Sequence, residues 1–342
     1  MTHPLSITMA AAGPHPDFFI IGAPKGGTTA LAHYLSEHPR IFFSAPKEPH
    51  FWDEDHENGR TIHGLSTVDQ YLRLFAGADP DQHLAIGEGS TSYLQSRVAV
   101  QAIRDFNPDA RFLVMLRHPI EVAYGEHGEL VRHYHEDVTD FEEAWRLQEQ
   151  RAAGHCLPRT PGIVQQLQYR DVARFGEQLE RLFDVVPESQ RLVMLFDDFV
   201  ADTRGTYQQV LEFLNIPDDG RTDFPKLNQA RAYRSGWLGR MYHAPPAIIE
   251  RPMRVLRSKV MANSGRMKQF VKDMVSVKKP RRNLRPEFRA ELLDVFREDI
   301  LRTAQLLDRD LGHWITDDSP QVKSSDRSAA PVSVAGRNEG HR

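Results

Sequence analysis

Cysteine is close to absent: Cys156 is the single one in 342 residues, so no disulfide closes within the chain and no thiolate cluster holds a metal. That scarcity is the habit of chains kept in a reducing compartment. Long apolar runs are missing as well. No window approaches the roughly 18 consecutive apolar residues that span a bilayer, and the opening stretch, MTHPLSITMAAAG, has neither the basic flank nor the apolar length of a secretory signal. The expectation is a cytoplasmic protein with no transmembrane segment. Excess positive charge is also lacking. The 43 Lys and Arg against 47 Asp and Glu leave a net charge of -4, which excludes a global attraction to nucleic acid and requires any anion site to be local. The 16 histidines offer no HExxH or comparable spacing. Their densest group, His133 and His135 beside Glu136 and Asp137, is read as holding no metal.

What is present is ordinary globular material, 40% hydrophobic and 26% charged, enough for one large domain. Residues 1–17 and 319–342 lack periodicity and large apolar side chains and read as disordered ends. Residues 18–318 contain no repeat and no linker, so they read as one domain. Phe18, Phe19, Ile20 and Ile21 form a strand-like run, followed by a Gly-rich turn and an amphipathic helix over 28–36. A second strand is expected at 111–116, leading into a helix from about Ile120, and a third at 191–196, leading into a helix over 203–214. Strands that read as continuous apolar runs are buried on both faces. The predicted class is therefore α/β, with a central, mostly parallel sheet flanked by helices. From about residue 235 to 314 the pattern turns helical and basic, and 278–285, broken by Pro280, reads as a basic loop suited to closing over phosphates.

The segment Gly22-Ala23-Pro24-Lys25-Gly26-Gly27-Thr28-Thr29 lies between the first strand and the first helix. Backbone N–H groups and the positive end of the helix dipole converge there, which makes the turn an oxyanion site. Gly26 and Gly27 let the main chain approach a phosphate, Thr28 and Thr29 offer hydroxyls, and Lys25 offers a point charge. The spacing of Gly22 and Gly27 is that of the ATPase loop G-x-x-x-x-G-K-[ST], but Thr28 stands where that loop needs lysine.

With lysine ahead of the glycines, Pro24-Lys25-Gly26-Gly27-Thr28-Thr29 resembles instead the P-K-x-G-T-T loop of the PAPS-dependent sulfotransferases, which holds the 5'-phosphosulfate. Lys47-Glu48-Pro49-His50-Phe51-Trp52 is similar to the K-E-x-H-F-F/W element of the heparan-sulfate-type branch. The resemblance implies that Glu48 takes the acceptor proton, with Lys25 and His50 also catalytic and with Lys47 and His50 touching the acceptor. Leu116-Arg117-His118-Pro119 resembles the family's 3'-phosphate element, which implies that Arg117 grips that phosphate through its planar fork of donors. The family usually places serine eight residues later, and this chain has Gly125 there, which leaves two readings open: weaker PAPS binding for want of the hydroxyl, or Tyr124 or a backbone N–H in its place. The stretch from Ile86 to Leu94 resembles an acceptor-cleft element, which makes Glu88 a secondary acceptor-binding candidate, with Ser92 where proline is common. Lys279, Arg281 and Arg282 match, as a group, the segment that folds over the nucleotide. The acids of the stretch from Leu195 to Pro217 read as helix caps.

The resemblance covers about residues 18–314 and implies transfer of a sulfuryl group from PAPS, giving PAP, to a hydroxyl or amine of a glycan, lipid or small-molecule acceptor. Two other readings remain open at this level: a P-loop-like kinase or nucleotidase, and a PAP- or glycan-binding protein without catalysis. Oligomeric state leaves no trace in the sequence.

Overall fold

The computed structural model describes residues 13–57, 63–226, 231–233, 276–278 and 283–316. Its centre is a sheet of five strands, β1 (Phe18–Gly22), β2 (Ile41–Phe43), β3 (Ala85–Gly89), β4 (Arg111–Leu116) and β5 (Arg191–Leu195), in the order β2-β3-β1-β4-β5. All four pairings are parallel. The helices are α1 (Thr28–Ser36), α2 (Val68–Leu72), α3 (Ala99–Phe106), α4 (Pro119–His133), α5 (Phe141–Arg146), α6 (Gln148–Ala152), α7 (Tyr169–Val172), α8 (Phe175–Val185), α9 (Phe196–Ala201), α10 (Thr203–Leu214), α11 (Pro286–Leu307) and α12 (Gly312–Ile315). A separate antiparallel pair joins Arg231–Tyr233 to Ser276–Lys278.

The alternation of side chains along each strand divides the core in two. Phe19, Ile21, Phe112, Val114 and Leu116 point to one side, where residues of α3, α4, α5, α8 and α11 cover them. Phe18, Ile20, Leu113 and Met115 point to the other, against α1, α9 and α10. Both faces of the central strands are thus dry, as the unbroken apolar runs require. The expected strands and the helices over 28–36 and 203–214 are found. Phe196 is the exception: it opens α9 instead of ending β5. Two strands are additional to those read from the sequence, β2 and β3. Among the acids read as caps, Asp202 caps α10, its carboxyl accepting from the Gly205 N–H at 2.8 Å. Asp197 and Asp198 instead meet Trp314 Nε1 and Arg309. No helix among the described residues is long and apolar enough to cross a membrane.

The strand order decides where the chemistry gathers. β1 lies in the middle with β3 on one side and β4 on the other, so the chain leaves β1 at a topological switch point, where parallel sheets open a crevice beyond their carboxyl ends. The pairing of β1 with β4 shifts register between Ile20 and Gly22. Pairing resumes at Gly22 opposite Val114, and beyond it the loops that follow β1, β3 and β4 meet.

Candidate active site

The loop after β1 is shaped by two glycines for different reasons. Gly27 has φ of +95°, a left-handed conformation that L side chains avoid, and it turns the chain into α1 with no side chain capping the helix. The first N–H groups of α1 thus have no partner within the helix. Gly26 is required by space: a methyl group there would overlap the carbonyl oxygen of Met115 on β4. The loop is pinned to that strand by the Ala23 N–H, which donates to the same carbonyl at 2.8 Å. Gly26→Ala is therefore expected to cost about 1–3 kcal/mol by forcing the loop off β4. Urea unfolding of the two proteins measures it, and an unchanged midpoint would contradict the tight packing. Thr28 is buried and Thr29 exposed at the start of α1.

Arg117, at the end of β4, reaches this loop. Its Nη1 donates to the Lys25 carbonyl at 3.4 Å, and its guanidinium lies over the Phe196 ring, 4.6 Å from the centroid. Stacking on an aromatic face orients a planar cation without consuming its donors. Glu121, one turn into α4, stands 3.8 Å from Nη2. Gly125 lies two turns along the same helix, buried, and the Tyr124 ring packs against Phe141 with centroids 5.2 Å apart.

Lys25 points toward α4, where its Nζ pairs with Glu129 at 3.1 Å. Sequence reasoning missed Glu129. Burial acts to raise the Glu129 pKa, but Lys25, Arg132 and His133 outweigh it and hold the carboxyl down at about 2. Glu129 is thus an anion throughout the neutral range, and Arg132 joins it as a second cation.

Lys47, Glu48 and His50 lie on the other side of β1, beyond the end of β2, because β2 pairs with β3 and the loop is stitched to the end of β3. The Glu48 N–H donates to the Gly89 carbonyl at 2.8 Å and the His50 N–H to Ser90 Oγ at 3.2 Å. The Phe51 N–H donates to Tyr93 Oη at 2.9 Å. Lys47 Nζ sits 2.5 Å from one Glu48 oxygen, while Thr91 donates to the other at 3.3 Å and His50 Nε2 lies 3.6 Å from it. The Glu48 side chain keeps 31% of its surface exposed. Burial alone would raise its pKa, but Lys47, His50 and the Thr91 hydroxyl together lower it, so the carboxylate is ionised and ready to receive a proton.

His50 is held by a pair of residues that sequence reasoning did not assign. Its Nδ1 lies 2.8 Å from Ser92 Oγ and 3.3 Å from Asp53 Oδ2, and the Ser92 hydroxyl donates to the same Asp53 oxygen at 2.5 Å. Asp53 is fully buried, and its hydrogen bonds with His50 and Ser92, together with His56 Nδ1 at 3.4 Å, overcome the cost of burial and depress its pKa strongly. In turn burial works to lower the His50 pKa, but Asp53 and Glu48 raise it, which favours an imidazolium facing Glu48. Ser92 stands where proline is common in the resembling element, and its hydroxyl is what couples the ring to the carboxylate.

Glu88 is a correction. It is fully buried in β3, with Tyr71 donating to one oxygen at 2.5 Å and Ser90 to the other at 2.9 Å. Burial pushes its pKa up to about 7. With no exposed surface and both oxygens engaged, it props the Ser90 turn from beneath and lines no acceptor cleft. Lys279, Arg281 and Arg282 lie outside the described residues.

The loop after β1, the arginine after β4 and the acid–histidine loop fastened to β3 thus converge at one edge of the sheet. A match to the Sulfotransferase family covers residues 16–220, which contain all three. Carbohydrate sulfotransferase 15 of Homo sapiens is 29% identical over 248 residues, 59% of this chain and 44% of that one. Heparan sulfate glucosamine 3-O-sulfotransferase 3B1 of Mus musculus is 25% identical over 224 residues, 62% of this chain and 50% of that one. The chain therefore spans about half the length of these relatives. Among solved structures, a sulfotransferase from Alicyclobacillus acidocaldarius superposes with a TM-score of 0.65 at 27% identity, over 88% of this chain and 99% of that one. Sequence and fold lead to one assignment: the chain belongs to the sulfotransferase family.

Proposed function

We propose that the protein transfers the sulfuryl group of PAPS to a hydroxyl or amine of a glycan, lipid or small-molecule acceptor, releasing PAP. The observation that carries this reading is the contact between Arg117 and the Lys25 carbonyl, which sets a fork-shaped cation beside a glycine-rich helix start. Two anionic groups on one nucleotide have two receptors there, the 5'-phosphosulfate at the loop and the 3'-phosphate at Arg117.

The chemistry is an in-line displacement at sulfur. Glu48 removes the proton of the acceptor as its oxygen or nitrogen attacks, a new bond to sulfur forms, and the bond between sulfur and the bridging phosphate oxygen breaks. Negative charge grows on the departing phosphate, where the first N–H groups of α1 and the Lys25 ammonium stabilise it. For that, Lys25 turns from Glu129 to the nucleotide. His50, anchored through Ser92 and Asp53, holds the Glu48 carboxylate in place and offers its Nε2 side to the cleft. Carbohydrate acceptors, as in the names of the relatives, are the first class to supply.

PAP added to the full chain tests the nucleotide half of this reading. A ligand at 100 times its dissociation constant stabilises the fold by about 2.7 kcal/mol, so a clear rise in melting temperature is expected. Lys25→Ala removes a charged donor worth about 1.5–3 kcal/mol and should weaken PAP binding by roughly tenfold or more. Unchanged binding in that variant would remove the loop from the site. Labelled PAPS incubated with a panel of glycans, lipids and small alcohols and amines tests the transfer, and release of PAP with no labelled product from any of them would argue against it.

A further inference from the structure

Helix α4 carries a carboxyl that the scheme above leaves unused. Glu126 lies one turn before Glu129, so it shares the helix face that meets Lys25. The residue is 4% exposed, and among the described residues no N–H or O–H group donates to its carboxyl. A buried acid without a donor is costly to fold around and calls for an explanation.

The charges that act on it come from three elements. Lys25 belongs to the loop after β1, Glu48 and His50 to the loop after β2, and Glu129 to α4 itself. Burial is the largest influence and pushes the Glu126 pKa up to about 7, with Glu129 and Glu48 adding to it and Lys25 and His50 opposing. Glu48 and Glu129 are both held ionised by their cationic partners. An ionised Glu126 would be a third like charge in this space and would also face an incoming phosphate. The neutral acid has the opposite character, since it presents an O–H to an anion.

We propose that Glu126 is a hydrogen-bond donor of the nucleotide site, entering the complex as the neutral carboxylic acid with its O–H directed at the phosphate end that Lys25 holds. The proton comes from solvent when the nucleotide binds. This rests on the PAPS reading above and extends it to a residue that touches the co-substrate.

Proton linkage gives the sign. Binding an anion raises the pKa of Glu126 further, so the complex takes up a proton. Affinity is then full below the free-state value near 7 and declines above it, by up to about tenfold per pH unit between the free and bound pKa values. Calorimetric titration of PAP into the full chain at about pH 7.5, in HEPES and in Tris, counts the protons, because the two buffers differ in ionisation enthalpy. The parent is expected to take up more protons per PAP than Glu126→Gln, by a substantial fraction of one. The phosphates of PAP contribute equally to both measurements, so the difference belongs to Glu126. The amide still donates, so the variant should hold PAP within a few-fold of the parent near neutral pH and lose less affinity as pH rises. Equal proton counts overturn the proposal. So does a parent protein that binds PAP with no pH-dependent proton uptake, a result that requires no variant. If PAP binds neither folded protein, the nucleotide reading itself falls.

Discussion

Glu48→Gln is expected to lower turnover about 10²- to 10⁴-fold while PAP binding stays as in the parent. The two effects separate because the amide has nearly the shape of the carboxylate and still receives the Thr91 hydroxyl, but it takes no proton. On the proposed function, nucleotide affinity resides elsewhere, in the loop after β1 and in Arg117. The pH profile carries a second signature. Lys47 and His50 hold the Glu48 pKa below the usual carboxylate range, so the limb of the rate profile that belongs to this base appears only as pH falls through that low value. Across the neutral range the parent should show no loss from this group. Single-turnover measurement with labelled PAPS reads the chemical step, and a variant as fast as the parent would strip Glu48 of its role.

The second large effect concerns stability. Just beyond the end of α4, Glu136 and Arg151 of α6 form an ion pair with no exposed surface on either side chain. Two bonds of 2.6 and 2.8 Å join them, and Glu136 also accepts from Tyr169 Oη at 2.5 Å and from the Val138 N–H at 2.9 Å. Such a pair contributes little over a well-packed apolar pair, but breaking it leaves a charge buried alone. Glu136→Ala should therefore cost about 3–5 kcal/mol in urea unfolding. Replacing both residues, Glu136→Leu with Arg151→Met, should recover much of that loss. A single variant that unfolds at the parent's midpoint would refute the account. Burial works to raise the Glu136 pKa, but Arg151, Tyr169 and Val138 outweigh it and depress it. Its stabilisation is thus complete above the usual carboxylate value and is lost as pH falls through the lower folded one. Because α4 carries the partner of Lys25, this pair anchors the far end of the helix that forms one wall of the site.

Local patterns were legible in the sequence. The run Phe18 to Ile21, the two glycines and the helix that follows lie within twenty residues, and each feature has a local physical cause. Arg117 was equally plain at the end of an apolar strand. Strands β2 and β3 were not. β2 has three residues, and β3 reads AIGEG, whose glycines argue against a strand. Gly87 is there because the Phe18 ring occupies the space of its side chain, a fact of packing between strands remote in sequence. The same distance hid the support of the acid–histidine loop. Ser92 and Asp53 are 39 residues apart, and their bond forms only once β2 lies beside β3. Glu88 misled for the complementary reason: its neighbours Tyr71 and Ser90 show what it does, and spacing along the chain does not.

The central place of β1 also bears on biogenesis. Its two neighbours arrive about 70 and 90 residues later in the sequence, so a growing polypeptide emerges with its glycine-rich turn long before anything can hold that turn in shape. On the PAPS reading, the nucleotide has only half a receptor until the segment through Arg117 has left the ribosome. On that reading PAP is expected to offer no help to early intermediates and to stabilise only chains whose β4 has already docked.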